Sequence, residues 1–410
     1  MPLNKRCECS YMDICAAALL QLECRGRESM RRVVLGMFVL AVCGMMVAPM
    51  GMAGKPQPPP TPPPEPTGNL IITSNPQLVF GTGAGYVRLY DWVNSKFSHT
   101  WSGGGGNKVV IGDVDNDGAK EVVSRYIDAG TGIAYFRVWN NGDGSNSPSI
   151  TVQMPSPTCD MEIGDVDKDG SKELVISGTD SQGSAEVWSC TNSACTKEAT
   201  IPNLGYMDLT VADADNDGYA EIMMGQGIGT YSRQPVIVDY NNVYSITPLP
   251  MRANYPVVKV SVGNIDGTSG NELFSIDVND VAHIWKYSIL NYIEIWSKQL
   301  NDANYAGSTI ADIDGDGNIE IAFPEYCILN HGRTTTGTLR IYKYDGSNSW
   351  SQSGAYDTNS NGLISNVVSA DVDRDGAKEL VVGNQVWNWD VSAMKLIQTI
   401  DSSVSDSSIT

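Results

Sequence analysis

Histidine is nearly missing: 410 residues hold three, His99, His283 and His331. General acid–base catalysis draws on histidine more than on any other side chain. His283 reads as a strand residue in Val-Ala-His-Ile-Trp, and His331 as a loop residue in Leu-Asn-His-Gly-Arg. No nucleophile motif, phosphate-binding loop or dinucleotide fingerprint makes up the shortage, so the chain is not expected to be an enzyme. Basic residues are also few, 27 Lys and Arg against 47 Asp and Glu, for a formal charge of −20. Nucleic-acid binding needs a basic footprint, and adhesion to anionic lipid needs the same sign. Both are excluded as expectations. Cysteine is thin beyond residue 54, where only Cys159, Cys190, Cys195 and Cys327 remain of nine. Cys190 and Cys195 have no second close pair beside them, which argues against zinc.

What is present is glycine, 41 residues, with 41% hydrophobic content. That mixture buries a core and favours many turns and short strands over helical bundles.

Residues 1–54 stand apart. Met30-Arg31-Arg32 precedes an apolar run from Val33 to Val47, then Gly51 and Ala53 at a peptidase-like spacing. This reads as a signal peptide starting at Met30, with residues 1–29 an upstream extension. The alternative is an anchor left in place. Residues 55–68 are proline-rich and read as an extended spacer. Residues 402–410, rich in serine, read as a tail or linker. Export makes the protein secreted or cell-surface, with no membrane insertion once the signal is removed. In such a compartment Cys190 and Cys195 are expected to close a small disulfide loop between two strands. Cys159 and Cys327 are either free thiols or a second bridge.

Between those ends one acidic pattern recurs at near-regular spacing. Full copies begin at Asp113, Asp165, Asp213, Asp312 and Asp371. Their third and fifth residues are Asp115 and Asp117, Asp167 and Asp169, Asp215 and Asp217, Asp314 and Asp316, and Asp373 and Asp375. Glycine stands sixth in each, and the ninth residues are Glu121, Glu173, Glu221, Glu320 and Glu379. A loop curling about a point turns its first, third and fifth side chains inward. The glycine supplies the positive φ such a curl requires. The seventh residue (Ala119, Ser171, Tyr219, Asn318, Ala377) offers a backbone carbonyl, and the glutamate closes the shell. Five hard oxygens with four negative charges suit Ca²⁺ above Mg²⁺ or Mn²⁺. The expectation is about five sites. A sixth, worn copy keeps an oxygen at Asn264, Asp266, Thr268, Gly270 and Glu272 but loses two charges, so weak or absent binding is expected there. An EF-hand places its last ligand at position 12 between helices. Here strand residues follow position 9 at once, making each loop a hairpin turn.

The distance from each copy to the next fits a four-stranded blade. Residues 69–92 lack the loop, and Leu70–Thr73 with Gln77–Gly81 are expected to form a hairpin with a plain turn. After each loop a strand ends in an aromatic: Trp92, Trp139, Trp188, Tyr240, Trp285, Tyr342, and Trp387 with Trp389. These are expected to be core between blades rather than a sugar-stacking surface. The expected fold is all-β, a seven-bladed β-propeller of four-stranded blades with Ca²⁺-binding hairpin loops over residues 69–401.

The Asp-x-Asp-x-Asp-Gly-x-x-Glu loops set in hairpins resemble those of the FG-GAP/VCBS repeat family, the calcium-loop blades of integrin α-subunit-like propellers. The resemblance covers nearly the whole mature chain, although the name-giving pieces survive only as an echo in Phe80-Gly-Thr-Gly-Ala84. It implies an extracellular recognition or adhesion module for a glycan or protein ligand, stiffened by calcium. The alternative is a calcium-dependent polysaccharide lyase resembling the rhamnogalacturonan lyase type.

Overall fold

The computed structural model describes residues 70, 72, 77–82, 85–106 and 108–409, with breaks at 129, 142–146, 155–159, 179–182, 203, 205–208, 226–234, 250–256, 278–279, 289–290, 301–306, 330–333, 345–349, 358–366, 391 and 401–403. All lie in the compact unit Pro64–Thr410. The signal peptide and proline spacer expected at 1–54 and 55–68 fall outside the described residues. So do Cys159, His331 and the side chain of Cys327.

The described residues form seven antiparallel four-stranded sheets and no helix. From the inner strand outward, blade 2 is Lys108–Gly112, Glu121–Ile127, Ala134–Trp139 and Ile150–Met154. Blade 3 is Met161–Gly164, Glu173–Ile176, Ala185–Cys190 and Cys195–Ile201; blade 4 is Leu209–Ala212, Glu221–Met224, Val236–Tyr240 and Tyr244–Pro248. Blade 5 is Val257–Gly263, Glu272–Asp277, Val281–Ser288 and Asn291–Gln299; blade 6 is Thr309–Ala311, Glu320–Leu329, Thr334–Tyr344 and Trp350–Asp357. Blade 7 is Val367–Ala370, Glu379–Val382, Gln385–Asp390 and Ala393–Thr399. Blade 1 draws on both ends of the unit: Val404–Ile409 is its inner strand, followed by Gln77–Thr82, Tyr86–Trp92 and Phe97–Gly104.

Two expectations are corrected here. The serine-rich segment 402–410 is no tail, because Val404–Ile409 pairs antiparallel with Gln77–Thr82. Leu70–Thr73 does not supply that hairpin; Leu70 and Ile72 lie outside any strand and are buried in the junction with blade 2. Propeller closure needs an inner strand between blades 7 and 2, and the late strand fills it, touching the inner strands of both. The composition hid this. Serine is common on solvated strands, and the strand's partner comes from the opposite end of the unit.

The closure also explains why six loops serve seven blades. Every acidic loop joins an inner strand to the second strand of the same blade. In blade 1 those two strands come from opposite ends of the unit, so no turn joins them.

Burial follows from a sheet covered on both faces. Each of seven apolar clusters straddles one blade junction. In the second strand of blade 2, Val122 packs toward blade 1 and its neighbour Val123 toward blade 3. The second strands therefore read as unbroken apolar runs, such as Leu174-Val175-Ile176 and Leu380-Val381-Val382, every residue buried. Outer strands have one open face and alternate or turn polar, as in Ala393–Thr399.

Strand register refines the aromatic series. The residue after the closing glutamate faces Trp139, Trp188, Trp285, Tyr342 and Trp387 in blades 2, 3, 5, 6 and 7, all buried. In blade 4 that position is Val238 and in blade 1 it is Tyr90. Tyr240 and Trp92 sit further along their strands and are half-buried.

Ending the chain at residue 403 is expected to open the ring. At ~1 kcal/mol per interstrand hydrogen bond, the lost pairing alone costs several kcal/mol, and it bares the edge of Gln77–Thr82. Thermal melting and light scattering should show a lower Tm and self-association; an unchanged, monomeric melt would contradict the closure.

Candidate metal centres on the inner hairpin turns

The six loops share one backbone curl, and the five full ones share one set of internal hydrogen bonds. The fourth residue takes a left-handed backbone in all of them, with φ of 61° at Asn116, 67° at Lys168, 68° at Asn216, 69° at Gly267, 71° at Gly315 and 66° at Arg374. In the five full loops the sixth-position glycines follow with φ between 86° at Gly317 and 100° at Gly376. Two left-handed residues so close together bend the loop through a tight arc. In the first loop Gly118 N donates to Asp113 Oδ2 at 3.2 Å, Asp117 N to Asp115 Oδ1 at 3.3 Å and Ala119 N to Asp117 Oδ1 at 2.8 Å. The loops at 165, 213, 312 and 371 repeat this set. The second residue plugs the apolar core beneath (Val114, Val166, Ala214, Ile265, Ile313 and Val372, all buried).

That plug carries the closing glutamate with it. Its Oε2 accepts from the N–H of the second residue, at 3.0 Å for Val114 and Val166, 2.7 Å for Ala214 and Val372, 2.9 Å for Ile265 and 2.8 Å for Ile313. All six glutamates are almost wholly buried. Burial, with a smaller push from the loop aspartates, raises Glu121, Glu173 and Glu221 to about 8, against an opposing pull from the backbone hydrogen bond. Glu320 and Glu379 rise to about 7, again chiefly by burial. Burial also leads in holding Asp115, Asp167, Asp215 and Asp373 above the ordinary aspartate range.

The remaining oxygens converge without partners. Oδ1 of each first aspartate (Asp113, Asp165, Asp213, Asp312 and Asp371) is buried and unpaired, as is Oε1 of Glu221 and Glu379. Carboxylate oxygens lie within 4.8 Å of one another in the sets Asp113/Asp115/Glu121, Asp165/Asp167/Glu173, Asp213/Asp215/Asp217/Glu221, Asp312/Asp314/Asp316 and Asp371/Asp373/Glu379. A repeated orphan buried carboxylate oxygen is costly unless a cation meets it, so the donor sets fit a hard divalent ion. The seventh residues, Ala119, Ser171, Tyr219, Asn318 and Ala377, stand beside these sets with their amides spent on the fifth aspartate.

Two loops differ, and the spacing motif missed why. In the worn loop Lys286 Nζ reaches Asp266 Oδ2 at 2.7 Å, Thr268 Oγ1 at 2.8 Å and Glu272 Oε1 at 3.0 Å. Asn264 Nδ2 donates to Thr268 O at 2.6 Å, closing the curl internally. In the 312–320 loop Lys343 Nζ lies 3.1 Å from Asp314 Oδ2 and 3.3 Å from Glu320 Oε1, and also bonds Asp316. The Lys343 hydrogen bond draws Asp316 down to about 2. Both lysines sit directly across the strand pair from the closing glutamate. Only the hairpin register reveals them, because the two hairpins differ in length and no fixed sequence spacing links glutamate to lysine.

Adjacent loops are stitched together. Asn116 accepts from Lys172 N at 2.7 Å and donates to Lys172 O at 3.2 Å. Asn216 does the same for Asn271 of the worn loop. Lys168 bridges to Asp217 at 2.9 Å and Asp239 at 3.1 Å. Beside the turn that begins at Asp165, a pocket of about 570 Å³ opens between blades 3 and 4, lined by Asp167, Glu198, Thr200, Tyr240, Asn242 and Tyr244 among others. Cys190 and Cys195 are bridged across the neighbouring hairpin of blade 3, as expected.

Residues 324–382 match the profile of the FG-GAP-like repeat. The matched segment is similar to that repeat. It spans most of blade 6 and the Asp371–Glu379 loop of blade 7, whose wiring the loops at 113, 165, 213 and 312 reproduce. No curated protein sequence matches the chain. Among solved structures, a Bacteroides fragilis protein assigned as a 6-phosphogluconolactonase is 15% identical, with a TM-score of 0.59, 82% of this chain covered and 98% of the other. The periplasmic gluconolactonase of Pseudomonas aeruginosa is 11% identical, with a TM-score of 0.55 and the same coverages. At such identities the likeness is one of fold: a repeat-built propeller.

Proposed function

We propose that the protein is an exported propeller whose FG-GAP-like loops take calcium and whose surface recognises an extracellular glycan or protein. The observation that carries the metal reading is the buried, unpaired Oδ1 at the first aspartate of all five full loops. Hard oxygens in a flexible loop favour Ca²⁺. A bound ion supplies the positive charge that lets four carboxylates share one turn; the chain's own part is to hold the curl, bury the glutamate and keep water from the plug residue beneath. The bridge between Cys190 and Cys195 supports an oxidising compartment.

For recognition, the pocket between blades 3 and 4 has the right chemistry. Tyr240 and Tyr244 offer ring faces 4.9 Å apart between centroids, beside Glu198, Thr200 and Asn242. Aromatic faces flanked by hydrogen-bonding groups suit a sugar or a peptide turn. Asp167 lines this pocket and belongs to a metal loop, so ligand capture is expected to depend on calcium. Full-length protein on glycan and extracellular-protein arrays should bind a defined class in millimolar calcium and release it in chelator. Calcium-independent binding, or cleavage of polyuronates into unsaturated ends, would replace this reading.

A further inference from the structure

Six loops of one design would be expected to share one counter-ion. The strand register shows otherwise. Lys286 and Lys343 stand opposite Glu272 and Glu320 in blades 5 and 6. One residue beyond the aromatic-layer pairs, the same station in blades 2, 3, 4 and 7 holds Asn140, Ser189, Asp239 and Asn388. None of those is a cation. The two lysines therefore occur at a position from which one long side chain meets three oxygens of a single loop, whereas Lys168 reaches only Asp217 of the loop beginning at Asp213.

Their contacts are those of a ligand, not of a surface ion pair. Lys286 Nζ meets three oxygens of the worn loop, at 2.7, 2.8 and 3.0 Å. An ammonium has three protons and no acceptor; Lys286 donates to Asp266 and Thr268 and forms an ion pair with Glu272. Lys343 Nζ meets the third, fifth and ninth carboxylates of its loop in the same way. A divalent ion bonded to the same oxygens would stand in contact with that ammonium, and two cations at that range repel.

We propose that Lys286 and Lys343 are tethered counter-ions occupying the cation seats of the fourth and fifth loops. Only the loops beginning at Asp113, Asp165, Asp213 and Asp371 then take a divalent ion at full strength. The loop at Asp312 takes one only by displacing Lys343, and the worn loop takes none. This inference rests on the metal reading above. It adds that blades 5 and 6 are held without metal, giving the ring a calcium-independent arc beside a calcium-dependent one.

The test uses the full chain and calcium alone. Equilibrium dialysis with elemental analysis should find four tight ions per wild-type molecule and five in Lys343→Met, the added site at least tenfold tighter than any fifth site of wild type. Lys286→Met should gain no tight site and should melt lower with or without calcium. Lysine acetylation, followed by mass spectrometry on wild type, reads the seats without any substitution. Lys286 and Lys343 should react at least tenfold slower than exposed Lys395, in chelator and in micromolar calcium alike. Five equivalent sites in wild type, an unchanged count in Lys343→Met, or rapid acetylation of Lys343 on adding micromolar calcium would overturn the inference while leaving the metal reading in place. No uptake by either protein would overturn both.

Discussion

Stripping calcium at pH 8 is expected to lower the melting temperature by roughly 20 °C. A ligand held only by the native state at one hundred times its Kd stabilises by about 2.7 kcal/mol, so four such ions contribute about 11 kcal/mol. That equals the whole stability of a typical domain, about 5–15 kcal/mol, and at this chain length each kcal/mol moves Tm by about 2 °C. The size of the effect should depend on pH, and its sign is fixed by the closing glutamates. Unfolded, they titrate near their ordinary 4.5; folded without an ion, Glu121, Glu173 and Glu221 hold their protons to about 8 and Glu320 and Glu379 to about 7. Between about 4.5 and 8 the native metal-free state therefore binds more protons than the unfolded one. Its stability is greatest below that window and falls as pH rises through it. With calcium present the carboxylates stay ionised, and binding strengthens over the same range as proton competition fades. Scanning calorimetry in chelator and in millimolar calcium should show two melting curves that diverge from pH 5 to pH 8. Parallel curves would mean that the buried glutamates do not face the ion.

Much of this architecture is legible in the chain, for a physical reason. A turn that must collect four carboxylates leaves little freedom in its sequence, so positions 1, 3, 5, 6 and 9 are written plainly. Blade count follows from the spacing, as does the strand order of the six blades that carry a loop. What is not legible is whatever depends on pairing across the sheet. Lys343 comes to Glu320 from the next strand of its blade, and a longer or shorter hairpin would have placed it elsewhere. The closing strand Val404–Ile409 is the extreme case: its partner Gln77–Thr82 is at the far end of the unit, and its own serines carry no apolar signature. The left-handed fourth residue is intermediate. Asparagine or glycine holds it in four of the loops, but Lys168 and Arg374 tolerate the same backbone because the surrounding hydrogen bonds impose it. In the worn loop the sequence reads as lost charge, whereas the structure shows a neutral side chain closing the curl and a lysine replacing what the charge would have held.

The sharpest consequence falls on a single proton-sized change, Glu221→Gln. Glu221 is buried, receives Ala214 N at 2.7 Å on one oxygen and leaves the other unpaired beside Asp213, Asp215 and Asp217. An amide keeps the shape and can still accept from Ala214. It removes a charge that burial and two aspartates oppose, and it removes a ligand that a cation needs. The two effects have opposite signs in the two states. In chelator at pH 8 the variant should melt higher than wild type, because a buried like charge has gone. In calcium it should melt lower by roughly 5 °C, the equivalent of about 2.7 kcal/mol for one lost ion. Glu221→Ala separates charge from packing. It leaves the Ala214 N–H without a partner and opens a cavity, so it should destabilise both states by about 3 kcal/mol. The same amide at Glu272 should lower both melts, since there it weakens the hold on Lys286 rather than on an ion. Crossing curves for Glu221 beside parallel loss for Glu272 would tie the sign of each substitution to the cation its loop holds. A Glu221→Gln variant less stable in both conditions would mean that the carboxylate is structural alone, with its unpaired oxygen satisfied by something other than a metal ion.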